Sequence, residues 1–225
     1  LALRGYHVFL ACRDAGKTTE VLNEIAHRSG GTARAEFIAL DLGDLDSVRQ
    51  CAQAFNARQL PLHLLVNNAG LAGQKGFTKS GFELAFGVCH VGHFLLTRLL
   101  LDRLKQAAPS RVVVVASRAH RHAKGIDFAA VRQPSRSRGG LMDYSVAKLA
   151  NILFAAELGR RLAGTGVTTY ALHPGVVGTN VWRSVPWPLD RLVKLFMIDS
   201  EEGAKTTLYC ATSDAVAQQT GLYYD

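Results

Sequence analysis

A tyrosine and a lysine stand four residues apart, at Tyr144 and Lys148. Residues at this spacing share one face of a helix and lie one turn apart. An ammonium about 4 Å from a phenolate interacts with it by roughly 4 kcal/mol at an effective dielectric near 20, which could move the phenol pKa from about 10 toward about 7. Such a phenol can donate a proton to a nascent alkoxide, or accept one from an alcohol, near neutral pH. Many surface helices contain this spacing by chance, so its meaning depends on the surrounding residues.

Hydroxyl, amide and glycine residues follow three predicted strands around this pair. Asn67-Asn68-Ala69-Gly70 ends one strand, Ser117 ends the next, and Pro174-Gly175-Val176-Val177-Gly178-Thr179 ends the one after. Each segment alone is compatible with an ordinary turn. Ligands of parallel α/β sheets bind beyond the carboxyl ends of the strands, so the joint placement predicts one shared crevice. There Ser117 could bond a substrate oxygen, and Gly70 would let a ligand approach the backbone closely.

The elements that must position these residues alternate between short apolar runs and longer amphipathic ones. The predicted strands cover 7–12, 36–42, 63–66, 111–117, 167–172 and 222–224, and the predicted helices cover 17–29, 45–58, 82–106, 142–162 and 200–211. We expect Asp44 to cap the second helix. Strand 111–117 has no polar alternation, which is typical of a parallel strand buried on both faces. The pattern predicts an α/β fold, a doubly wound parallel sheet with helices on both faces, in a single domain.

The chain is basic, with 26 Lys and Arg against 18 Asp and Glu and a formal charge of +8. Such a surface can bind nucleic acid, an anionic membrane or a phosphorylated cofactor. The densest basic stretches, 118–124 and 132–138, flank a polar loop and carry no interleaved aromatic platform. This favours a solvated or membrane-proximal face over nucleic-acid binding.

Several residue types that often form sites do not form one in this pattern. The four cysteines are far apart and make no Cys-x-x-Cys pair, which is typical of a reduced, intracellular chain. His90 and His93, like His120 and His122, lack a carboxylate or thiol at useful spacing, so we expect packing and hydrogen bonding and no metal site. No uninterrupted apolar run of about 18 residues occurs, so no membrane-spanning segment is predicted.

With the strand ends and the Tyr–Lys pair in this order, the chain resembles the short-chain dehydrogenase/reductase family along its whole length. The matching motifs are Asn67-Asn68-Ala69-Gly70, Ser117, Tyr144 with Lys148, and Pro174-Gly175 with Thr179. Finer motifs resemble its retinol dehydrogenase branch, namely 10–14, 90–97, 117–120 and 148–151. The resemblance implies a Rossmann-like domain over residues 1–225. It also implies that Tyr144 is the general acid/base, Lys148 its electrostatic partner and ribose anchor, and Ser117 the donor to the substrate oxygen.

Cofactor choice depends on the residues after the first predicted strand. In dinucleotide-binding folds an acidic residue at this point favours NAD, whereas an arginine accommodates the 2′-phosphate of NADP. Arg13 can grip that phosphate through paired hydrogen bonds. Asp14 beside it could argue for NAD, but the nearer Arg13 favours NADP(H). The resemblance completes the expected cofactor-binding set: Arg13, Asp41, Leu42, Asn68, Ala69, Gly70, Tyr144, Lys148, Pro174, Gly175, Val177 and Thr179.

Three features depart from the family pattern. No glycine-rich loop follows a strand, because Gly164-Thr165-Gly166 precedes one. The family's first strand and its pyrophosphate-binding loop would lie upstream of Leu1, so we expect the sheet to lack a central strand. Cys89 stands before His90 where the family usually has an asparagine, and a thiol is a poor replacement in a proton relay. The family's C-terminal helices are also missing, so the domain is expected to be incomplete at both ends.

These residues predict an NADP(H)-dependent oxidoreductase that interconverts a lipophilic alcohol and its aldehyde or ketone, in the manner of retinol and retinal. The apolar segment 181–198 would form a lid over such a substrate or rest on a membrane. The alternative is a non-catalytic remnant of the family that acts as a binding protein. By the resemblance we expect an intracellular location at the endoplasmic reticulum membrane, with no anchor in this chain and possible association with the membrane surface.

Overall fold

The computed structural model describes residues 1–175 and 200–225. Six strands are present in these ranges: β1 Val8–Cys12, β2 Ala35–Ala39, β3 Leu64–Asn67, β4 Ser110–Val115, β5 Val167–Leu172 and β6 Leu222–Tyr224. β1 pairs with β2, and β3, β4, β5 and β6 form a second sheet in that order. Every strand pairing is parallel. The predicted parallel α/β arrangement is confirmed.

Five longer helices connect these strands: α1 Ala15–Arg28, α2 Leu45–Asn56, α3 Leu84–Gln106, α4 Leu141–Arg161 and α5 Ser200–Thr212. Two of them begin at aspartates whose carboxylates accept backbone N–H groups. Asp14 accepts from Lys17 at 3.0 Å at the start of α1. Asp44 accepts from Asp46 at 3.0 Å at the start of α2, as predicted. Such caps satisfy N–H groups that the first turn of a helix leaves without partners.

The buried strand β4 forms the centre of the described core. Val112 and Val114 pack in a cluster with the inner face of α4, while Val113 and Val115 pack with Cys210 and Ala211 near the end of α5. Consecutive side chains of a strand point to opposite faces of a sheet. Helices therefore cover β4 on both sides, and the prediction of a strand buried on both faces is confirmed.

Helix packing joins the two sheets. Among the described residues, β1 and β3 do not pair with each other, and no strand lies between them. A cavity of about 840 Å³ lies between these strands and is lined by residues of both. Leu96 and Leu100 of α3 contribute to the lining and also belong to the core cluster that holds β2 and α2. The cavity lies where the sequence predicts that a central strand is lacking.

Helix α3 contains a π-helical turn at Gly87–Val91. Glycines stand at both ends of this turn because their neighbours leave no room for a side chain. A Cβ on Gly87 would lie 2.4 Å from Thr78 Cγ2, and a Cβ on Gly92 would lie 2.6 Å from the Leu42 carbonyl oxygen. Single π-turns inside α-helices are frequently found at functional sites, and this one carries Cys89 and His90.

Of the described helices, α3 is the one that is long and apolar enough to cross a membrane by length and composition. Half of its most apolar stretch is buried inside the fold. Leu96, Leu100 and Leu104 are core residues. The sequence predicts no span, because charged residues interrupt the apolar run, and packing in the core accounts for the apolar composition of this helix.

Candidate active site

The predicted site residues come together beyond the carboxyl ends of the second sheet. Ser117 follows β4, and its side chain accepts a hydrogen bond from the Ala119 N–H at 3.2 Å. Tyr144 and Lys148 lie on α4, one turn apart. The Ser117 side chain is close enough to Tyr144 to lower its pKa by hydrogen bonding. The structure thus places the hydroxyl, the phenol and the amine in one cluster.

Lys148 is buried, with 3% of its surface exposed. Its Nζ donates to the Val115 carbonyl oxygen at 2.7 Å, at the last residue of β4. The same nitrogen lies 5.4 Å from the centroid of the Tyr144 ring. Burial lowers the pKa of Lys148, because the charged ammonium loses its hydration. The carbonyl oxygen compensates this ammonium in part and fixes α4 to the end of β4.

The phenol pKa differs from the sequence expectation. Burial raises the pKa of Tyr144 to about 12, and the neighbouring Cys89 acts in the same direction. The expected lowering by Lys148 was wrong for this state of the protein. A lowered pKa requires an ammonium about 4 Å from the phenolate oxygen, whereas here that ammonium is held by the Val115 carbonyl oxygen. Burial therefore outweighs the lowering of the Tyr144 pKa by the Ser117 hydrogen bond.

Cys89 closes the floor of the site beside Lys148. Its thiol donates to the Leu71 carbonyl oxygen at 3.4 Å and accepts from the Leu71 N–H at 3.4 Å. A Cβ on Gly70 would lie 3.4 Å from Cys89 Sγ and 3.5 Å from Lys148 Nζ. Burial raises the pKa of the Cys89 thiol, so it stays protonated. The thiol ties the loop after β3 to the π-turn of α3.

Asn151 is a buried residue of this network that the sequence does not single out individually. Its Nδ2 donates to the Val115 carbonyl oxygen at 3.4 Å, and its Oδ1 faces His90 Nδ1 at 3.0 Å. Burial lowers the pKa of His90, which favours the neutral ring. The hydrogen-bonding role predicted for His90 is confirmed. The available signal was the shared spacing of Lys148 and Asn151, three residues apart and therefore on one helix face.

The residues expected at the adenosine end lie around β1 and β2. Arg13 is exposed directly after β1 and makes no ion pair with any described residue. Asp14 beside it is occupied as the cap of α1. The Asp41 side chain accepts a hydrogen bond from the Gly43 N–H at 2.8 Å and forms a turn. Because of this turn β2 ends at Ala39, three residues before the predicted end at residue 42. Leu42 is buried in the core cluster of α2 and α3.

The remaining expected cofactor residues follow β3 and β5. Asn68, Ala69 and Gly70 come directly after β3, and Pro174 and Gly175 come shortly after β5. Val177 and Thr179 lie outside the described residues, as does the predicted lid at 181–198. Parallel strands place these segments at one edge of their sheet. The assignment of cofactor contacts to them stays a prediction.

These groups fit a bound nicotinamide dinucleotide in part. Gly70 lies beside Cys89 and Lys148, where a Cβ would make ordinary contacts with both, and Arg13 is exposed and can meet a phosphate. Gly164 and Gly166 have φ values of +78° and +77° and form a turn before β5. Within residues 1–175 and 200–225, no strand is followed directly by a Gly-x-Gly turn that opens a helix. Amides that would cradle the pyrophosphate are therefore not among the described groups.

The family model for short chain dehydrogenases matches residues 1–187 of the chain. The chain belongs to this family. Human retinol dehydrogenase 12 is 44% identical over 229 residues that cover 100% of the chain and 71% of that relative. The WW domain-containing oxidoreductase of Danio rerio is 41% identical over 235 residues, and the chain spans only 57% of its length.

A solved relative supports the fold assignment. The actinorhodin polyketide ketoreductase with NADPH superposes with a TM-score of 0.75, covering 100% of this chain and 87% of that one at 22% identity. At this identity the likeness concerns the fold. Ser117, Tyr144 and Lys148 lie within residues 1–187, the part of the chain that the family model matches.

Proposed function

We propose that this chain is an NADP(H)-dependent oxidoreductase that interconverts a lipophilic alcohol and its aldehyde or ketone, retinol and retinal being the model pair. The observation that carries the proposal is the cluster of Ser117, Tyr144 and Lys148 at the end of β4. The 44% identity to human retinol dehydrogenase 12 supports the substrate class. The chain covers 71% of that relative, so the substrate is assigned by similarity to a longer protein.

Each side chain of the cluster has one role in this reaction. Ser117 donates a hydrogen bond to the substrate oxygen, and Tyr144 Oη transfers its proton to that oxygen during reduction. Lys148 bonds a ribose hydroxyl through an ammonium N–H other than the one donated to the Val115 carbonyl oxygen. Bound NADPH supplies the hydride. With a pKa of about 12, Tyr144 is protonated at neutral pH, which is the state that carbonyl reduction requires.

The cofactor preference follows from the contrast between Arg13 and Asp14. The Asp14 carboxylate accepts the Lys17 N–H at 3.0 Å at the start of α1, and the Lys17 backbone N–H lowers the pKa of Asp14. A carboxylate held there is less available to a ribose 2′-hydroxyl. Arg13 is exposed and has no described ion-pair partner. This arrangement favours a 2′-phosphate, and hence NADP(H), over NAD(H).

A second candidate function is that of a non-catalytic binding protein of the same family. Cys89 favours it, because a protonated and buried thiol cannot replace an amide in a proton relay. In that case Tyr144 and Lys148 would be structural residues only. The two functions differ in what removal of the phenol oxygen does to turnover.

Cofactor titration and turnover together test the proposal. We expect NADPH fluorescence to report binding tighter than that of NADH, and the Arg13→Ala substitution to remove most of this preference. Retinal reduction should be abolished by Tyr144→Phe, while NADPH binding is kept. Absence of any NADPH binding would contradict the proposal for this chain. Binding without turnover, unchanged by Tyr144→Phe, would establish the binding protein.

The proposed cellular location rests on the resemblance to the retinol dehydrogenase branch. All four cysteines are free: Cys51, Cys89 and Cys210 are buried, and Cys12 is exposed. Free thiols suit the reducing interior of a cell. We infer that the enzyme works inside the cell at the endoplasmic reticulum membrane, where lipophilic alcohols dissolve.

A further inference from the structure

We propose that the loop between β4 and α4 is a docking surface for an anionic lipid bilayer. Here the loop surface means Lys124, Phe128, Arg136, Arg138, Leu141 and Met142. Docking itself does not depend on the proposed activity. Its consequence for substrate delivery, given below, rests on the proposed function.

The loop surface exposes large apolar side chains to water. Phe128 is 74% exposed, which is the highest value for a large apolar residue among the described ranges. Leu141 is 52% exposed and Met142 is 48% exposed, at the start of α4. No ring contact is formed by Phe128 with any described aromatic side chain. Exposed apolar side chains grouped in this way mark interaction sites more often than isolated ones do.

Four residues of the loop surface border a common depression. A cavity of about 790 Å³ is lined by residues between Asp127 and Asp143, with Arg136, Arg138, Leu141 and Met142 among them. Two guanidinium groups, two apolar side chains and the carboxylates of Asp127 and Asp143 therefore border one concave surface. The guanidinium groups suit a phosphate-bearing head group, and Leu141 and Met142 suit the upper part of an acyl chain.

The charge of the loop is strongly positive. Residues 118–142 contain six basic residues and one acidic residue, so their formal charge is 6 − 1 = +5. Three of the cations have a partner on the protein itself. Arg118 and Arg121 pair with Asp225, and Arg132 lies 3.8 Å from the centroid of the Phe82 ring.

The other three basic residues of the loop, Lys124, Arg136 and Arg138, face solvent. They make no ion pair with any of the residues that the structure describes. Their positive charge is therefore not compensated by the fold and is available to an anionic surface.

The pairing of free cations with exposed apolar side chains favours a bilayer over a nucleic acid. Interfacial membrane binding combines apolar side chains that enter the acyl boundary with Lys and Arg that meet anionic head groups. Single-stranded nucleic acids bind on stacking platforms of several aromatic rings, and the loop surface contains one ring. The long Arg136 and Arg138 side chains can place their charge at head-group level while their stems stay apolar.

The loop surface is bounded by the candidate active site at both ends. Ser117 precedes the loop, and Tyr144 follows Met142 by two residues. A bilayer seated on the loop would therefore lie near the mouth of the site. On the proposed function, a lipophilic aldehyde could then pass from the membrane to Ser117 and Tyr144 without crossing water.

Co-sedimentation with lipid vesicles tests the surface without any measurement of turnover. We expect the wild-type chain to bind vesicles of phosphatidylcholine mixed with phosphatidylserine, and to bind pure phosphatidylcholine vesicles far more weakly. The double variant Arg136→Gln/Arg138→Gln should weaken binding by roughly fivefold for each charge removed. The double variant Phe128→Ser/Leu141→Ser should weaken it at all salt concentrations.

Matched controls remove two positive charges, or two exposed apolar side chains, outside the loop surface. Arg98→Gln/Lys105→Gln removes two exposed charges from α3. Leu99→Ser/Leu153→Ser removes two leucines that are 38% and 52% exposed. Both controls should bind vesicles like the wild type, and circular dichroism should show that all variants are folded.

Three results would overturn the proposal. The wild type could fail to bind mixed vesicles, the controls could weaken binding as much as the loop variants, or a single-stranded RNA oligonucleotide could displace the chain from vesicles. Because no substrate is present, a chain without catalytic activity can still pass this test. Failure of the docking surface is thus distinguishable from failure of the proposed function.

Discussion

At the scale of single residues, the acid–base behaviour of the site is set by burial. Tyr144 and Lys148 are both withdrawn from water, and each is shifted toward its neutral form: burial raises the pKa of Tyr144 and lowers that of Lys148. The Val115 carbonyl oxygen meanwhile holds Lys148 Nζ at 2.7 Å. A ligand that draws this ammonium toward the phenol would therefore change the protonation of both groups together.

The Tyr144 phenol should resist ionisation in the absence of cofactor. Its pKa of about 12 in the folded chain lies above the value near 10 expected after unfolding. The associated stability is therefore fully present below about pH 10 and is lost as the pH rises toward 12, by an amount on the order of 3 kcal/mol. The difference in phenolate absorbance between wild type and Tyr144→Phe measures the titration. A midpoint at or below 10 would show that Lys148 already faces the phenol.

The Asn151 carboxamide should contribute measurably to stability. Replacing it with alanine removes the contact to the Val115 carbonyl oxygen and leaves buried His90 Nδ1 without its partner. We expect Asn151→Ala to lower the free energy of unfolding by about 1–3 kcal/mol in urea denaturation at neutral pH. The exposed Asn23 on α1 is the matched control. Asn23→Ala should change the free energy of unfolding by no more than about 0.5 kcal/mol. Equal effects of both substitutions would argue against a structural role for the Asn151 hydrogen bonds.

At the scale of elements, α3 forms the floor of the candidate site. Its π-turn brings Cys89 and His90 toward α4 and the loop after β3, and its second half packs in the core with α2. Close packing at Gly87 and Gly92 fixes the position of this turn. The geometry of the site floor therefore depends on two positions that cannot carry a side chain.

Alanine at Gly92 should destabilise the fold. Its Cβ would lie 2.6 Å from the backbone oxygen of Leu42, which cannot move as freely as a side chain. We expect Gly92→Ala to cost about 1–3 kcal/mol of unfolding free energy. Gly16 in α1 is the matched control, because its Cβ would meet only Asp14 Oδ1 at 3.4 Å. Gly16→Ala should be neutral or stabilising by up to about 1 kcal/mol, since alanine favours the helix. Thermal unfolding of both variants measures the two changes in stability.

The sequence predicts most elements because their apolar periods are regular. β5 and β6 occur where predicted, and the central helices differ from their predicted ranges by at most two residues at either end. The prediction for β2 extended too far, because the turn made by the Asp41 carboxylate cannot be read from an apolar period. The π-turn of α3 could not be predicted either, since it results from packing against Thr78 and Leu42.

Site chemistry was predicted less completely than site position. Ser117, Tyr144 and Lys148 do lie together, because strand ends and a helical spacing determine their placement. The prediction of a lowered Tyr144 pKa was wrong, because that pKa depends on which group the Lys148 ammonium faces. Asn151 was missed as a partner, because its hydrogen bonds join residues from three separate elements.

At the scale of the whole molecule, the described strands form two sheets that share one helical core. In β1, Val8 donates to the Arg34 carbonyl oxygen, and Leu40 donates to the Cys12 carbonyl oxygen. Backbone groups of alternate residues point to opposite sides of a parallel strand. Phe9 and Ala11 therefore turn their amides toward the cavity between the sheets.

Amide hydrogen exchange should proceed at different rates in the two sheets. We expect the amides of β1 and β2 to exchange together and sooner than those of β4, which has a partner strand on each side. Mass spectrometry of peptides from 8–12, 35–39 and 110–115 measures the difference. Equal protection of the three segments would show that the described fold opens as one unit.

The cavity between β1 and β3 also affects how the chain would hold its cofactor. Arg13 follows the last residue of β1, while Tyr144 and Lys148 belong to the larger sheet. On the proposed function, the contacts to the 2′-phosphate and to the ribose would thus come from two sheets that are joined by side-chain packing. A ligand that spans both would act as a cross-link, and its binding free energy would be reduced by the work of holding the two sheets at a fixed distance.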